Sequence, residues 1–376
     1  MKTRLTLSII IPCLNEEKTI GIVVTKALNS LKKLHINGEV VVADNGSNDR
    51  SKEISKILGA RVIDVPERGY GNALIYGMKS AKGDYLLMAD ADDSYNLDEI
   101  QEFIKYIPKY ELIIGSRLKG KIEANSMPFL HRYLGTPVLT FIVNQLFQTK
   151  ISDCNSGMRC ISKEAFEKMQ LKSEGMEFAS EMIIKAGVLK LKIKEISINF
   201  YKDKRDKKPH LRTWRDGWRH LKFMLIYSPK YLFFLPGAIL ITIGFLLTTV
   251  LASGPVYIAG RIFDFHFALL GSLFVLLGFQ IVNTSLYASI FAYRELNISN
   301  FSKTFYKLFS LEKVILLGFA TMLVGGLLDL LILFQWIGND FGNLHQPGLV
   351  SLASTLIIIG FQTIFNAFFL DFLKDK

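Results

Sequence analysis

The chain has 376 residues, half of them hydrophobic, with three cysteines and a formal net charge of +11. That length fits two domains or one domain with an extension, and the odd number of cysteines, without metal-ligand spacing, excludes a disulfide scaffold and suits a reducing face. The positive charge suits anionic partners, and because apolar residues concentrate after Tyr231, phosphate substrates and lipid head groups fit better than nucleic acid.

The basic start, Met1-Lys2-Thr3-Arg4, leads into the apolar stretch 5–11 and then Pro12. It is short and has no small-residue cleavage site, so it reads as a buried strand and not as a signal peptide. Strand and helix signals then alternate: strand 7–11, helix 16–31, strand 39–43, helix 50–58, strand 61–65, helix 71–80 and strand 84–89. Alternation of this kind predicts crossover units and a mainly parallel sheet, whose ligands bind beyond the carboxyl ends of the strands. The polar clusters 12–17, 44–49 and 90–94 each follow a predicted strand end, so all three are expected on one edge.

Residues 127–148 are apolar but contain Pro128 and Pro137, with His131 and Arg132 between them. Broken in this way, the segment is too short for a span and predicts a pair of interfacial helices. Residues 202–230 are rich in Lys, Arg, Trp and Tyr, a juxtamembrane composition. Four nearly uncharged runs follow, at about 231–251, 265–293, 314–337 and 349–370, each able to supply the roughly 20 apolar residues a bilayer requires. The loop between the second and third runs carries Arg294, Lys303, Lys307 and Lys313, whereas residues 338–348 carry no Lys or Arg. By the positive-inside rule, the N-terminal domain, the middle loop and the C-terminus face the cytoplasm, with the spans in the cell membrane. The expected organisation is a cytosolic domain over 1–210, a basic juxtamembrane segment over 211–230 and a four-span bundle over 231–376.

The acidic sequence Asp90-Ala91-Asp92-Asp93 follows a buried strand. Asp90 and Asp92 at a strand end can bracket one hard divalent cation, Mg2+ or Mn2+, which keeps positions open for phosphate oxygens. A solvated acidic turn is the plainer reading of the same residues. An EF-hand loop is excluded, because Tyr95 and Gln101 stand where Gly and Glu are needed. Gly69-Tyr70-Gly71 lacks the third glycine of a dinucleotide fingerprint and reads as a tight turn before a helix. Glu177 and Glu181 lie four apart, on one helical face, and suit either an ion-pair face or a sugar contact. Asp329 falls inside the third span, near its outer end, where a structural hydrogen bond is the simpler reading. Gln280 and Asn283 are expected to link helices.

The order and spacing of Ser8-Ile9-Ile10-Ile11-Pro12-Cys13-Leu14-Asn15-Glu16-Glu17, Asp44-Asn45-Gly46-Ser47-Asn48-Asp49 and the acidic motif carry a resemblance. With Gly69-Tyr70-Gly71-Asn72-Ala73, Ile114-Gly115-Ser116-Arg117 and Asp153-Cys154-Asn155-Ser156-Gly157-Met158-Arg159, residues 5–230 resemble the family-2 inverting glycosyltransferases. The likeness is to the dolichol-phosphate mannose or glucose synthase type. It implies a glycosyltransferase A-type α/β nucleotide-sugar-binding domain, and the family's C-terminal spans match the four-span α-helical transmembrane bundle. It also implies that Pro12, Leu14, Glu16 and Asp44 hold the base and ribose, with Asn15 and Ala91 as further substrate contacts. Asp90 and Asp92 are then implied at the metal and sugar diphosphate. The family often has Gln at the position of Ser94, the third implied metal contact. Its second Asp after strand two is Asn45 here, and its Ser-Lys pair before the membrane is Pro209-His210, leaving Lys204, Arg205 or Lys208 for phosphate.

The implied reaction passes a hexose from a nucleotide diphosphate sugar to a polyprenyl phosphate, inverting the anomeric carbon. A phosphate monoester is already largely ionised at neutral pH, its second pKa being about 6, so a strong general base is less needed than alignment and cations. Arg117 and Arg132 are the candidate catalytic cations beside Asp90 and Asp92, although Arg132 also suits a membrane anchor. A polysaccharide or glycolipid synthase acting on a sugar hydroxyl is the enzyme alternative, but Arg212-Thr213-Trp214-Arg215-Asp216 does not match the processive synthases' Gln-x-x-Arg-Trp motif. A lipid-linked sugar transporter or scaffold is the non-enzyme alternative, and the intact acidic motif weighs against it. Assembly into homo-oligomers is left open.

Overall fold

The computed structural model describes residues 6–205, 213–296, 310–344 and 346–375, so Lys208, Pro209, His210, Lys303 and Lys307 lie outside the described residues. The chain divides into two compact units between Met224 and Leu225.

In the first unit, β1 (Thr6–Cys13), β2 (Asn37–Asp44), β3 (Arg61–Asp64), β4 (Tyr85–Met88), β5 (Leu112–Ser116), β6 (Arg159–Ser162) and β7 (Ile193–Ser197) form one sheet. Its order is β3-β2-β1-β4-β6-β5-β7. Every pairing is parallel except those of β6, which runs antiparallel to both β4 and β5. The central strands read as unbroken apolar runs because both faces are covered: Ile9, Ile10, Ile11, Val40, Val41 and Val42 are all buried. The helix α1 (Ile20–Lys33) buries Ile20, Val23, Val24, Ala27 and Leu31, the three-and-four spacing of a single apolar stripe. Register fixes what leaves the sheet together. Cys13 pairs with Asp44 and Ile10 with Met88, so the loops after β1, β2 and β4 emerge on one edge.

The expected pair of interfacial helices is instead one continuous helix over residues 129–147, widened at His131–Gly135 into a π turn. Pro137 explains the difference. It cannot donate a backbone hydrogen bond and its ring crowds the carbonyl four residues back, so the helix absorbs the proline by widening instead of breaking. The amide of Thr136 accordingly donates to His131, five residues back. This helix exposes Phe129, Leu130, Tyr133, Leu134, Val138 and Phe141. The same device recurs at Lys230–Phe234, just before Pro236.

Among the described residues, the second unit contains four helices long and apolar enough to cross a membrane: Lys230–Ala252, Phe265–Ala292, Leu311–Gly338 and Pro347–Leu373. The shortest has 23 residues, about 34 Å at ~1.5 Å per residue, against a hydrocarbon core of about 30 Å. The first pair closes where Gly244 meets Gly271, and the second where Gly318 meets Gly360, the small-residue contact that lets membrane helices approach. The expectation for Asn283 is corrected. Its amide donates to Phe279 of its own helix. Polar links between helices come from Ser272 with Ser351 (2.6 Å) and Tyr287 with Asn366 (2.6 Å).

Candidate active site

The loops after β1, β2 and β4 surround a cleft of about 390 Å3. Of the residues selected from sequence, Pro12, Leu14, Glu16, Asp90, Ala91, Asp92, Ser94, Arg117 and Arg205 line it, while Asn15, Asp44, Arg132 and Lys204 do not.

Asp44 ends β2 with its carboxylate buried. One oxygen accepts from the amides of Gly46 (3.1 Å) and Ser47 (3.0 Å), with the Lys52 ammonium at 3.4 Å. The other oxygen, Oδ1, is buried without a hydrogen-bond partner. An orphaned carboxylate oxygen is costly unless a donor reaches it, which suits a ligand N–H or hydroxyl. Asn15 adopts a left-handed conformation and knits its loop to the next: its amide donates to Ser47 Oγ (2.8 Å), and its side chain accepts from the Asn48 amide (2.7 Å). Asn45, where the family's second Asp would stand, is a structural staple here. It accepts from Gly69 N (2.7 Å) and donates to the Glu67 carbonyl (2.8 Å).

In the acidic loop, Asp90 is half-buried, and its Oδ1 accepts from the Tyr70 hydroxyl at 2.9 Å. Burial, then the neighbouring charge of Asp92, pushes its carboxyl up to about 6. Asp92 Oδ1 accepts from the amide (3.0 Å) and hydroxyl (2.6 Å) of Ser94, and its Oδ2 faces the Arg205 guanidinium at 3.0 Å. Asp93 points the other way. Its buried carboxylate is clamped between Lys26 and Lys204, each at 2.6 Å. Among the described residues no three His, Cys, Asp or Glu side chains converge as a closed metal cage. The donor set fits a Mg2+ or Mn2+ ion that takes one or two carboxylates here and completes its shell with phosphate oxygens and water.

Tyr70 was missed as a site residue from sequence, where its motif read as a turn and as part of the family likeness. The turn is real: Gly69 has φ +147° and the helix Tyr70–Ser80 follows. Gly71 packs so tightly that a Cβ would stand 2.0 Å from the Ser173 carbonyl. Gly157 was also missed as a site residue, and a Cβ there would lie 2.3 Å from Asp90 Oδ2.

Compared with known proteins, the chain is 38% identical over 373 residues to the low-salt glycan biosynthesis hexosyltransferase Agl6 of Haloferax volcanii, covering 98% of this chain and 89% of that one. The chain is a family-2 glycosyltransferase. The glycosyl transferase family 2 model matches residues 8–170, and a family-2 C-terminal transmembrane region matches residues 294–374. With its four apolar helices, this glycosyltransferase is an integral membrane protein. A dolichyl-phosphate hexose transferase of Haloferax volcanii is 28% identical, covering 52% of this chain and 82% of that one. A mouse dolichyl-phosphate beta-glucosyltransferase is 27% identical, covering 58% and 74%.

In the lining of the glycosyltransferase cleft, Arg117 forms a two-pronged ion pair with Asp153, Nε at 2.8 Å and a terminal nitrogen at 2.9 Å. Burial pushes Asp153 up, but the Arg117 charge and hydrogen bonds outweigh it and hold its carboxyl below the usual range. The guanidinium also lies over Phe200, 5.2 Å from the ring centre. Arg132 is not brought to the cleft. It sits on the π turn, half-buried, over Tyr133 at 5.3 Å. Lys204 is committed to Asp93. The ambiguity over Glu177 and Glu181 separates: Glu181 is buried, pairs with Lys185 at 2.7 Å and accepts from the amides of Lys172 and Ser173. It is structural. Glu177 keeps one buried oxygen without a hydrogen-bond partner.

Proposed function

We propose that this glycosyltransferase passes a hexose from a nucleotide diphosphate sugar to a polyprenyl phosphate, inverting the anomeric carbon. The observation that carries the reading is that one cleft gathers the carboxylates of Glu16, Asp90 and Asp92 together with the guanidinium of Arg117, which Asp153 holds fixed. The carboxylates suit a cation-borne diphosphate, with Pro12, Leu14, Glu16 and the unpartnered Asp44 Oδ1 holding the base and ribose and Asn15 a further substrate contact. Asp90, Asp92 and Ser94 would hold Mg2+ or Mn2+, which supplies charge neutralisation as the sugar–phosphate bond breaks. The Arg117 guanidinium suits a second phosphate, the acceptor. Because that phosphate is already largely ionised, Arg117 has to align it and need not deprotonate it. The dolichyl-phosphate acceptors in two relatives' names support a lipid carrier.

In this reading residues 1–210 carry the chemistry in the cytoplasm, residues 211–230 approach the bilayer and residues 231–376 anchor it in the cell membrane. The apolar face of the helix over residues 129–147 rests at head-group depth, with Arg132 among the lipid phosphates. Purified protein is to be given a panel of nucleotide sugars with undecaprenyl and dolichyl phosphate, and the products identified by mass spectrometry. A polyprenyl-phosphate hexose is expected. Transfer to free sugars in preference to lipid phosphate overturns the reading.

A further inference from the structure

Arg205 is the most heavily shared cation of the cleft. Its guanidinium reaches Glu16 Oε1 at 3.2 Å and Asp92 Oδ2 at 3.0 Å, while its Nε donates to Asp203 Oδ2 at 2.6 Å. Side-chain exposures of 18% for Arg205, 13% for Asp92 and 8% for Glu16 put this cluster largely out of water, where charge balance matters most. Both oxygens of Asp92 are therefore taken, one by Ser94 and one by Arg205. A Mg2+ or Mn2+ ion bound at about 2.0–2.2 Å from that second oxygen would share it with a full positive charge. Two cations on one carboxylate oxygen repel. The metal enters either with enough negative charge of its own or after the guanidinium leaves.

The backbone around Arg205 is held in place. Tyr201 donates to the Ser94 carbonyl (2.9 Å), Lys204 to the Asp92 carbonyl (3.3 Å), and the Lys204 ammonium is clamped on Asp93. What can move is the Arg205 side chain, and Asp203 gives it a carboxylate to keep when it releases Asp92.

We propose that Arg205 is a resident counter-ion of the acidic loop, and that a divalent cation enters the cleft only together with a nucleoside diphosphate, displacing the guanidinium from Asp92 toward the incoming phosphates. The inference rests on the reading that the cleft takes a nucleotide diphosphate. It adds an order: no metal first, and one arginine serving as the metal's stand-in before binding and as a phosphate contact after it.

The test is Mn2+ binding followed by electron paramagnetic resonance and calorimetry on the full chain in detergent, with Mn2+ alone and with UDP or GDP added. The wild type is expected to take up Mn2+ poorly alone and readily with nucleotide. Arg205→Gln is expected to bind Mn2+ alone about tenfold tighter, a change of about 1.4 kcal/mol, because Asp92 and Glu16 lose their partner. Adding Asp92→Asn to that variant should remove the gain. Arg205→Lys, whose single ammonium cannot span both carboxylates, should fall between, and it replaces the glutamine variant if that one fails to fold. An Arg205 variant that melts like the wild type and binds Mn2+ alone no better overturns the proposal. Failure of the wild type to take up Mn2+ with either nucleotide strikes the functional reading instead.

Discussion

Replacing Asp153 by Asn isolates the fork that fixes Arg117. Asp153 is fully buried and Arg117 nearly so, at 12% exposure. Besides the two guanidinium bonds, the carboxylate accepts from the amides of Arg117 (3.1 Å) and Asn155 (3.1 Å). The substitution keeps shape but removes the charge and turns an N–H2 group toward a guanidinium. Breaking one side of a buried pair costs about 3–5 kcal/mol. At about 2–4 °C per kcal/mol for a unit of this size, the melting temperature should fall by on the order of 10 °C. The pH dependence follows from the direction of the shift. The Asp153 carboxyl is held below its unfolded value, so its stabilisation is complete above the ordinary carboxylate range and is lost as pH falls through the folded value. The gap between wild type and variant should therefore stay constant from about pH 5 to 8 and narrow below about pH 4. Scanning fluorimetry of the detergent-purified proteins across that range reads both effects. A variant within a degree of wild type at neutral pH, or a gap that persists unchanged in strong acid, would refute the fork as an energetic unit.

Asp92→Asn should abolish transfer while leaving the fold intact, and chelation of the wild type should stop transfer until Mg2+ or Mn2+ is restored; near-normal turnover in a folded variant removes Asp92 from the reaction. Gly71→Ala, with its Cβ aimed at the Ser173 carbonyl, should cost about 1–3 kcal/mol as the contact is forced apart, read as lower melting and weaker nucleotide binding together. Single cysteines at Asn343 should label from outside intact cells, and those at Ser302 or Asp375 only after permeabilisation; the reverse pattern inverts the orientation. Arg132→Ala should weaken use of lipid phosphate and leave nucleotide-sugar binding nearly unchanged, with Arg132→Lys recovering part of the loss. If donor affinity falls and the acceptor response stays, Arg132 belongs to the nucleotide side.

The strands at the centre of the sheet were legible because they are apolar on both faces and their apolar runs give way at Pro12, Asp44 and Asp90, where backbone and charge change together. The spans were legible from length and lack of charge. The far side of the sheet was not. β6 is four residues long and begins with Arg159, whose charge hides the strand. In the fold that side chain is fully buried and donates to the carbonyls of Ser156, Ala179 and Cys154. Those acceptors are backbone atoms brought together by the loop, and no residue-type pattern announces them. Arg117 and Asp153 each stood in a recognisable motif, but their pairing crosses 36 positions and depends on β5 lying beside β6. The same limit explains Asp93, which stands in the acidic motif and faces two lysines on separate segments.

The two cleft arginines differ in a way their shared chemistry conceals. Arg117 spends two parallel hydrogen bonds on a single carboxylate that is itself fixed by two amides, so its direction is set by the frame of the sheet. Arg205 divides itself among three carboxylates on three segments, and even its neighbour Asp203 meets the guanidinium through one oxygen only. A planar guanidinium held by one rigid partner presents its remaining N–H groups in a constant place, which is what aligning an acceptor requires. A guanidinium shared among several partners loses little when it trades one anion for another, which is what a site needs when a diphosphate must enter and later leave. The cleft thus uses one kind of side chain for both a fixed and an exchangeable charge, and the difference lies in the number of carboxylates around each.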